Sequence, residues 1–172
     1  DTARASLNIG GALTFKDDGP TITVNNNAVP SLTVDETNLA VDASASFANN
    51  FTNSFGADGA GAVTYGLSVG AAPSGLKDVA TGLDIVLVNN AGVIEGHAGA
   101  GGPIAFTVKV DAAGVVTLDQ LRALTHPDAT NADDPVSLAA GSLTLTATST
   151  DKDGDTARAS LNIGGALTFK DD

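Results

Sequence analysis

Apolar residues in this chain recur at every second position, and that period constrains the fold more than any other feature. In VTYGLSV, residues 63–69, Val63, Tyr65, Leu67 and Val69 share one face while Thr64, Gly66 and Ser68 share the other. Ile104, Phe106, Val108 and Val110 repeat the pattern in IAFTVKV, as do Leu143, Leu145 and Ala147 in SLTLTAT. Side chains on an extended backbone point alternately to opposite faces, so these segments read as half-buried antiparallel strands. Shorter candidates are TITV at 21–24, SLTV at 31–34, the stretch near 41–47, LDIVLV at 83–88, and VIEGH at 93–97 after an NNAG turn. The segment VDAAGVVTL at 110–118 reads as another turn between strands. One stretch predicts a helix instead. Thr117 with Gln120 three residues on fits a capping box, and Leu118, Leu121 and Leu124 follow at i, i+3 and i+6 before His126-Pro127. The expected fold is therefore all-β, an immunoglobulin-like antiparallel β-sandwich with one short helix.

A second feature concerns organisation. Residues 1–18, DTARASLNIGGALTFKDD, recur letter for letter at 155–172, an offset of 155 − 1 = 154. Identity over that length implies a tandem array with a unit of 154 residues, each unit a domain in itself, in the manner of beads on a string. On this reading residues 1–18 are the last strand of a preceding repeat plus linker, and residues 19–172 are one complete repeat. At 155–172 the segment ARASLNI follows its hairpin partner SLTLTAT, whereas at 1–18 the partner is missing. The C-terminal copy is expected to hold the sheet position, because only about four residues need close its loop.

Twenty acidic against eight basic residues give a net charge of −12. That balance argues against nucleic acid or an anionic membrane as partner, since both need clustered Lys and Arg. Cations are the natural counterpart, with solubility through self-repulsion as the alternative. The chain has no cysteine, so disulfides and thiolate metal sites are excluded, and no apolar run approaches the roughly 18 residues that span a bilayer. Aromatic residues make up only 4% of the chain, which leaves a core of small and β-branched side chains.

The carboxylates are arranged in a way that bears on function. The loop between SLTLTAT and ARASLNI carries Asp151, Asp153 and Asp155 at i, i+2 and i+4 in a Gly-containing turn. Three carboxylates so placed repel one another unless a cation sits among them, and hard oxygen ligands suit Ca²⁺. The same letters also make an ordinary acidic hairpin turn. The loop is not an EF-hand, because its glycine is the fourth residue and no glutamate stands at the twelfth. Further acids lie in KDDGP at 16–20 and again in KDD at 170–172, in VDET (Asp35 and Glu36), in GADG (Asp58), and in NADDP (Asp133 and Asp134), which reads as a solvated loop. At the junction between units, Asp17 and Asp18 would hold Ca²⁺ together with carboxylates of the next domain. His97 and His126 read as loop or strand-edge residues. With no H-x-x-x-H spacing, no G-x-S-x-G elbow and no complete phosphate loop, no enzymatic activity is expected.

LTVDETNL at 32–39, FGADGAGAVTYGLSV at 55–69, DQLRALTHPD at 119–128 and TATSTDKDGDTA at 146–157, with the F-x-DDGP junction, together resemble the repeat units of giant repeats-in-toxin adhesins. These are bacterial surface proteins exported by type I secretion. The resemblance implies an extender domain: a Ca²⁺-stabilised sandwich, repeated in tandem outside the cell, that spaces a ligand-binding tip from the surface in adhesion and biofilm formation. It implies Ca²⁺ ligands at Asp151, Asp153 and Asp155, and more loosely at Asp17, Asp18, Asp35 and Glu36. The implied partners are neighbouring copies of the same repeat, with no nucleic acid and no membrane insertion, each module being monomeric. A module that itself recognises sugar or another surface is the alternative.

Overall fold

The computed structural model describes residues 1–128, 130–131 and 133–171. Among them the chain runs through β1 (Thr21–Val24), β2 (Leu32–Asp35), β3 (Ala43–Ser46), β4 (Phe51–Ser54), β5 (Ala62–Val69), β6 (Ile85–Asn90), β7 (Val93–Ala98), β8 (Ile104–Val110), β9 (Val115–Gln120), β10 (Pro135–Ser137), β11 (Leu143–Thr150), β12 (Thr156–Asn162) and β13 (Leu167–Lys170). The strands form an all-β, sandwich-like arrangement. One sheet has the order β3-β9-β8-β7-β6, antiparallel throughout, and the other centres on β11, which pairs with β5 on one side and β12 on the other. The β1-β4 ribbon lies beside β12, and a third sheet, β10-β13-β2, joins β13 to β2 in a parallel ladder.

The alternation in the sequence is the alternation in burial. In β11, Leu143, Leu145, Ala147 and Ser149 are buried while the threonines between them are half-buried. In β7 and β9 every second residue is likewise buried. Between the sheets the rings of Phe106 and Phe169 stand 5.0 Å apart at 48°. Leu32, Ile94, Leu118, Leu143 and Leu145 fill the space around them. Each such side chain contributes on the order of 1.5–3 kcal/mol by leaving water, so a core poor in aromatics still holds the fold.

The predicted helix over 118–124 does not form: its first three residues end a strand, and 121–124 follow outside any helix or strand. Residues 115–120 form β9, paired with β8 and β3. Val116, Leu118 and Gln120 point inward, which is a period of two, and Leu121, the i+3 member of the helical pattern, is 47% exposed. Gln120 is buried and so does not cap a helix. The β-branched run Val115-Val116-Thr117 between two waiting ladders outweighs the local capping signal. Strands β4, β10 and β13 were not visible as strands in the sequence.

The duplicated segment provides an internal control. In both copies Gly-Gly-Ala forms a 3-10 turn, at Gly10–Ala12 and at Gly164–Ala166. The residue before it has φ/ψ of −106/1 in one copy and −117/0 in the other. The turn is therefore encoded locally. The strands are not: 156–162 and 167–170 are β12 and β13, while residues 1–19 are all exposed and, outside that turn, carry no regular structure. Leu7 and Phe15 are 85% and 93% exposed, whereas their counterparts Leu161 and Phe169 pack into the core.

Candidate metal centre

The β11-β12 hairpin turns at Asp151–Asp155. Asp151 N donates to Asp155 O at 3.1 Å, and Asp151 Oδ1 accepts from Gly154 N at 3.1 Å and Asp155 N at 2.8 Å. One carboxylate oxygen thus holds the turn. The other, Oδ2, is buried without a hydrogen-bond partner in a residue only 4% exposed. It faces more negative charge. Asp151, Asp153 and Asp155 each offer an oxygen within 4.8 Å of the others, and Asp17, Asp58 and Asp153 do the same.

Three stretches far apart in the chain converge here. Asp58 comes from the loop between β4 and β5. Gly56, at φ +74°, runs so close to the junction that a Cβ would sit 2.5 Å from Asp18 O. Gly61 passes Thr150 so tightly that a Cβ would meet its carbonyl oxygen at 2.1 Å. These two glycines let the 56–61 loop lie against both the hairpin and residues 17–19. Asp18 Oδ2 then accepts from Ala57 N at 3.0 Å, tying the junction to that loop.

The electrostatics match this crowding. Contact with the Asp151 carboxyl, then desolvation, then the charges of Asp151, Asp17 and Asp58 raise the Asp153 pKa above its ordinary value. Contact with Asp17 comes first in raising that of Asp155, followed by the Asp17 charge, desolvation, and the charges of Asp151 and Asp58. Five carboxylates gather here, with one orphaned buried oxygen on Asp151 and proton affinity raised at Asp153 and Asp155, an arrangement that could hold a cation. The donors are all oxygen, drawn from three separate stretches of the chain, which suits Ca²⁺ better than a metal that demands nitrogen or sulfur.

Of the residues predicted from sequence, Asp151, Asp153, Asp155 and Asp17 meet in this cluster, and Asp18 secures its edge. Asp35 and Glu36 lie elsewhere and do different things. Asp35 caps the 3-10 turn Glu36–Asn38, its Oδ1 accepting from Thr37 N at 2.9 Å, and bonds from the Thr37 side chain and backbone lower its pKa. Glu36 turns inward, where Oε1 accepts from Leu124 N at 2.7 Å and Gln120 Nε2 at 2.8 Å, with His126 Nε2 at 3.4 Å. Glu36, His126 and Asp171 each present a ligand atom within 4.8 Å of the others. Asp171 is the repeat counterpart of Asp17, 154 residues on, so the same position of the repeat joins one cluster in one copy and another in the second. Asp172 and Ala132 of NADDP lie outside the described residues. The rest of NADDP is not simply solvated: Asp134 is buried and accepts from Asp128 N at 2.8 Å, and Asp133 pairs with Lys170 at 3.2 Å.

His126, read from sequence as a loop or strand-edge residue, does lie in a loop, but its side chain is only 3% exposed. His97 has both ring nitrogens engaged, Nδ1 with Gly102 O at 2.7 Å and Nε2 with Glu95 Oε2 at 2.9 Å. The contribution of Asp58 was also hidden, since nothing local ties residue 58 to residues 151–155.

A family model described as "Domain of unknown function (DUF5801)" matches residues 31–164. No curated protein and no solved structure matches the chain.

Proposed function

We propose, for a chain that belongs to the family described as a domain of unknown function (DUF5801), that it is a structural extender module: a Ca²⁺-stapled β-sandwich repeated in tandem in an extracellular bacterial adhesin, without catalytic activity. The observation that carries the reading is the buried, unpartnered Asp151 Oδ2 in a cage of carboxylates drawn from hairpin, loop and junction. Without a cation that cage opposes folding. With Ca²⁺ it ties three segments together, a role that disulfides cannot fill in a chain with no cysteine.

The letter-for-letter duplication supports the tandem part of the reading, as does the place of Asp17. In an array, the residue that appears as Asp171 at the end of one unit is Asp17 at the start of the next. It would then belong to the Glu36 cluster of the first unit and to the carboxylate cage of the second. A junction fixed to both neighbours by its own side chains makes a stiff spacer.

Extracellular Ca²⁺ modules have Kd values of about 10⁻⁴–10⁻³ M, far above cytosolic Ca²⁺. Before export the cage stays empty and its repulsion favours the unfolded, threadable chain. Outside, free Ca²⁺ at about ten times Kd contributes RT ln 11, about 1.4 kcal/mol per ion. X-ray scattering from a protein of several units tests the spacer role: a rod is expected in Ca²⁺, becoming shorter or flexible on chelation. A compact particle in both conditions would refute it, and a glycan or cell-surface ligand for a single unit would favour the adhesive alternative.

A further inference from the structure

We infer that His97 is a proton-operated clasp: doubly protonated, it fastens the Gly-rich loop 99–103 to strand β7, and it releases that loop as pH rises. The inference is independent of the Ca²⁺ cage, with which the clasp shares no residue. Nδ1 of His97 stands 2.7 Å from Gly102 O, and Nε2 stands 2.9 Å from Glu95 Oε2. A carbonyl oxygen and a carboxylate oxygen only accept, so the ring must donate from both nitrogens, and only the imidazolium has two protons to give. Glu95 Oε1 accepts in turn from Asn90 Nδ2 at 2.9 Å. These bonds form a line along β7, from the end of β6 to the loop that follows β7.

A neutral ring breaks this line whichever nitrogen keeps the proton. With the proton on Nε2, the Nδ1 lone pair faces Gly102 O. With the proton on Nδ1, the Nε2 lone pair faces the carboxylate. Two acceptors at hydrogen-bond distance repel, and both side chains are only 16% exposed, so solvent does little to relieve the clash. The loop is the part free to yield. It carries Gly99, Gly101 and Gly102, the first two at φ +75° and +71°, and inside it Gly102 N reaches Gly99 O only at 3.3 Å. The ladder between β7 and β8 already shifts register between Gly96 and His97, so the histidine stands where regular pairing ends.

Among the described residues Glu95 is the one charge that acts on the ring. Val86 of β6 and Ile104 of β8 stand opposite His97, and residues 99–103 include no titratable group. Strand β5, which also packs against β7, has Tyr65 as its one titratable residue. Lys109 and Asp119 lie further along β8 and β9. Asp84, whose carbonyl oxygen accepts from Gly99 N, pairs its side chain with Lys77. The bond to Gly102 O comes first in raising the His97 pKa above its ordinary value, and the bond to Glu95 and its charge add to the rise against desolvation. Because the folded value is the higher one, the clasp's contribution to stability is complete below about pH 6.5 and is lost as pH rises through the folded value.

The test is a pH series on the full chain. It follows the side-chain nitrogen resonances of both histidines and the hydrogen exchange of backbone amides, corrected for the intrinsic pH dependence of exchange. His97 should hold both protons up to a midpoint above the ordinary 6.5. Protection of the Gly102 amide should fall about tenfold as the ring loses its proton, while that of Gly114, in a turn without a histidine, stays level. In His97→Gln the fall at Gly102 should vanish, and Glu95→Gln should bring the His97 midpoint down. A midpoint at or below 6.5, a singly protonated ring below about pH 6, or protection at Gly102 that does not follow the His97 titration would each overturn the inference on the wild-type chain alone. An unchanged fall in His97→Gln would do the same.

Discussion

Replacing Asp151 with Asn should stabilise the protein in chelator and destabilise it in Ca²⁺. The amide keeps the oxygen that accepts from Gly154 N and Asp155 N, so the turn survives. At the Oδ2 position it replaces a buried, unpartnered, negatively charged atom with a donor aimed among acids. A buried acceptor without a partner costs on the order of 1–3 kcal/mol, and removing it returns at least the lower part of that range when no cation is present. For a chain of this size about 1 kcal/mol moves Tm by roughly 2–4 °C, so the variant should melt at least that much higher in chelator. In Ca²⁺ at about ten times Kd the variant loses up to about 1.4 kcal/mol of binding free energy, or roughly 3–6 °C. Paired thermal melts of wild type and variant, with chelator and with millimolar Ca²⁺, read both signs. A drop of equal size in both conditions would show that Asp151 serves the turn alone, and the cage would lose its support.

Three further outcomes follow from the fold. Asp78, 1% exposed, binds Arg122 through Nε at 2.8 Å and Nη2 at 3.0 Å, which with the Thr81 bonds holds its pKa down to about 2 from 3.8. Because the folded value is the lower one, its contribution of about 2 kcal/mol is complete above pH ~3.8 and is lost as pH falls through about 2, so acid titrations of Asp78→Asn and wild type should converge at the acid end. Leu145→Ala, at a position fully buried between the sheets, should cost about 2–5 kcal/mol in urea unfolding; less than 1 kcal/mol would contradict the packing. Removing residues 1–14, all exposed, should leave Tm within about 2 °C of the full chain, while a larger fall would mean that the N-terminal copy occupies a sheet position.

The sequence made legible whatever is local. Alternation located β5, β8, β11 and β12 because those strands keep one face in the core over six or more residues. Asp151, Asp153 and Asp155 could be grouped because one turn holds all three. The Gly-Gly-Ala turn forms with or without a folded domain around it. What could not be read was convergence across the chain. Asp58 and Asp17 reach the hairpin only because two glycines admit close backbone passes, and Glu36 parts from its neighbour Asp35 because one caps a turn while the other enters the interior. The stretch 118–124 deceived for a related reason: leucines three apart suggest a helix until two neighbouring strands offer ladders to Val115–Gln120. Strand β4, FTNS, has almost no apolar pattern and is a strand because β1 pairs with it.

The central claim is that Ca²⁺ sits among Asp17, Asp58, Asp151, Asp153 and Asp155. It is tested most directly by anomalous scattering from crystals grown in Ca²⁺. The account requires a peak within about 2.3–2.6 Å of carboxylate oxygens of Asp151 and at least two of the other four residues. A cage empty of ion at millimolar Ca²⁺, with an ordered water or a proton shared between Asp151 and Asp153 in its place, would contradict it.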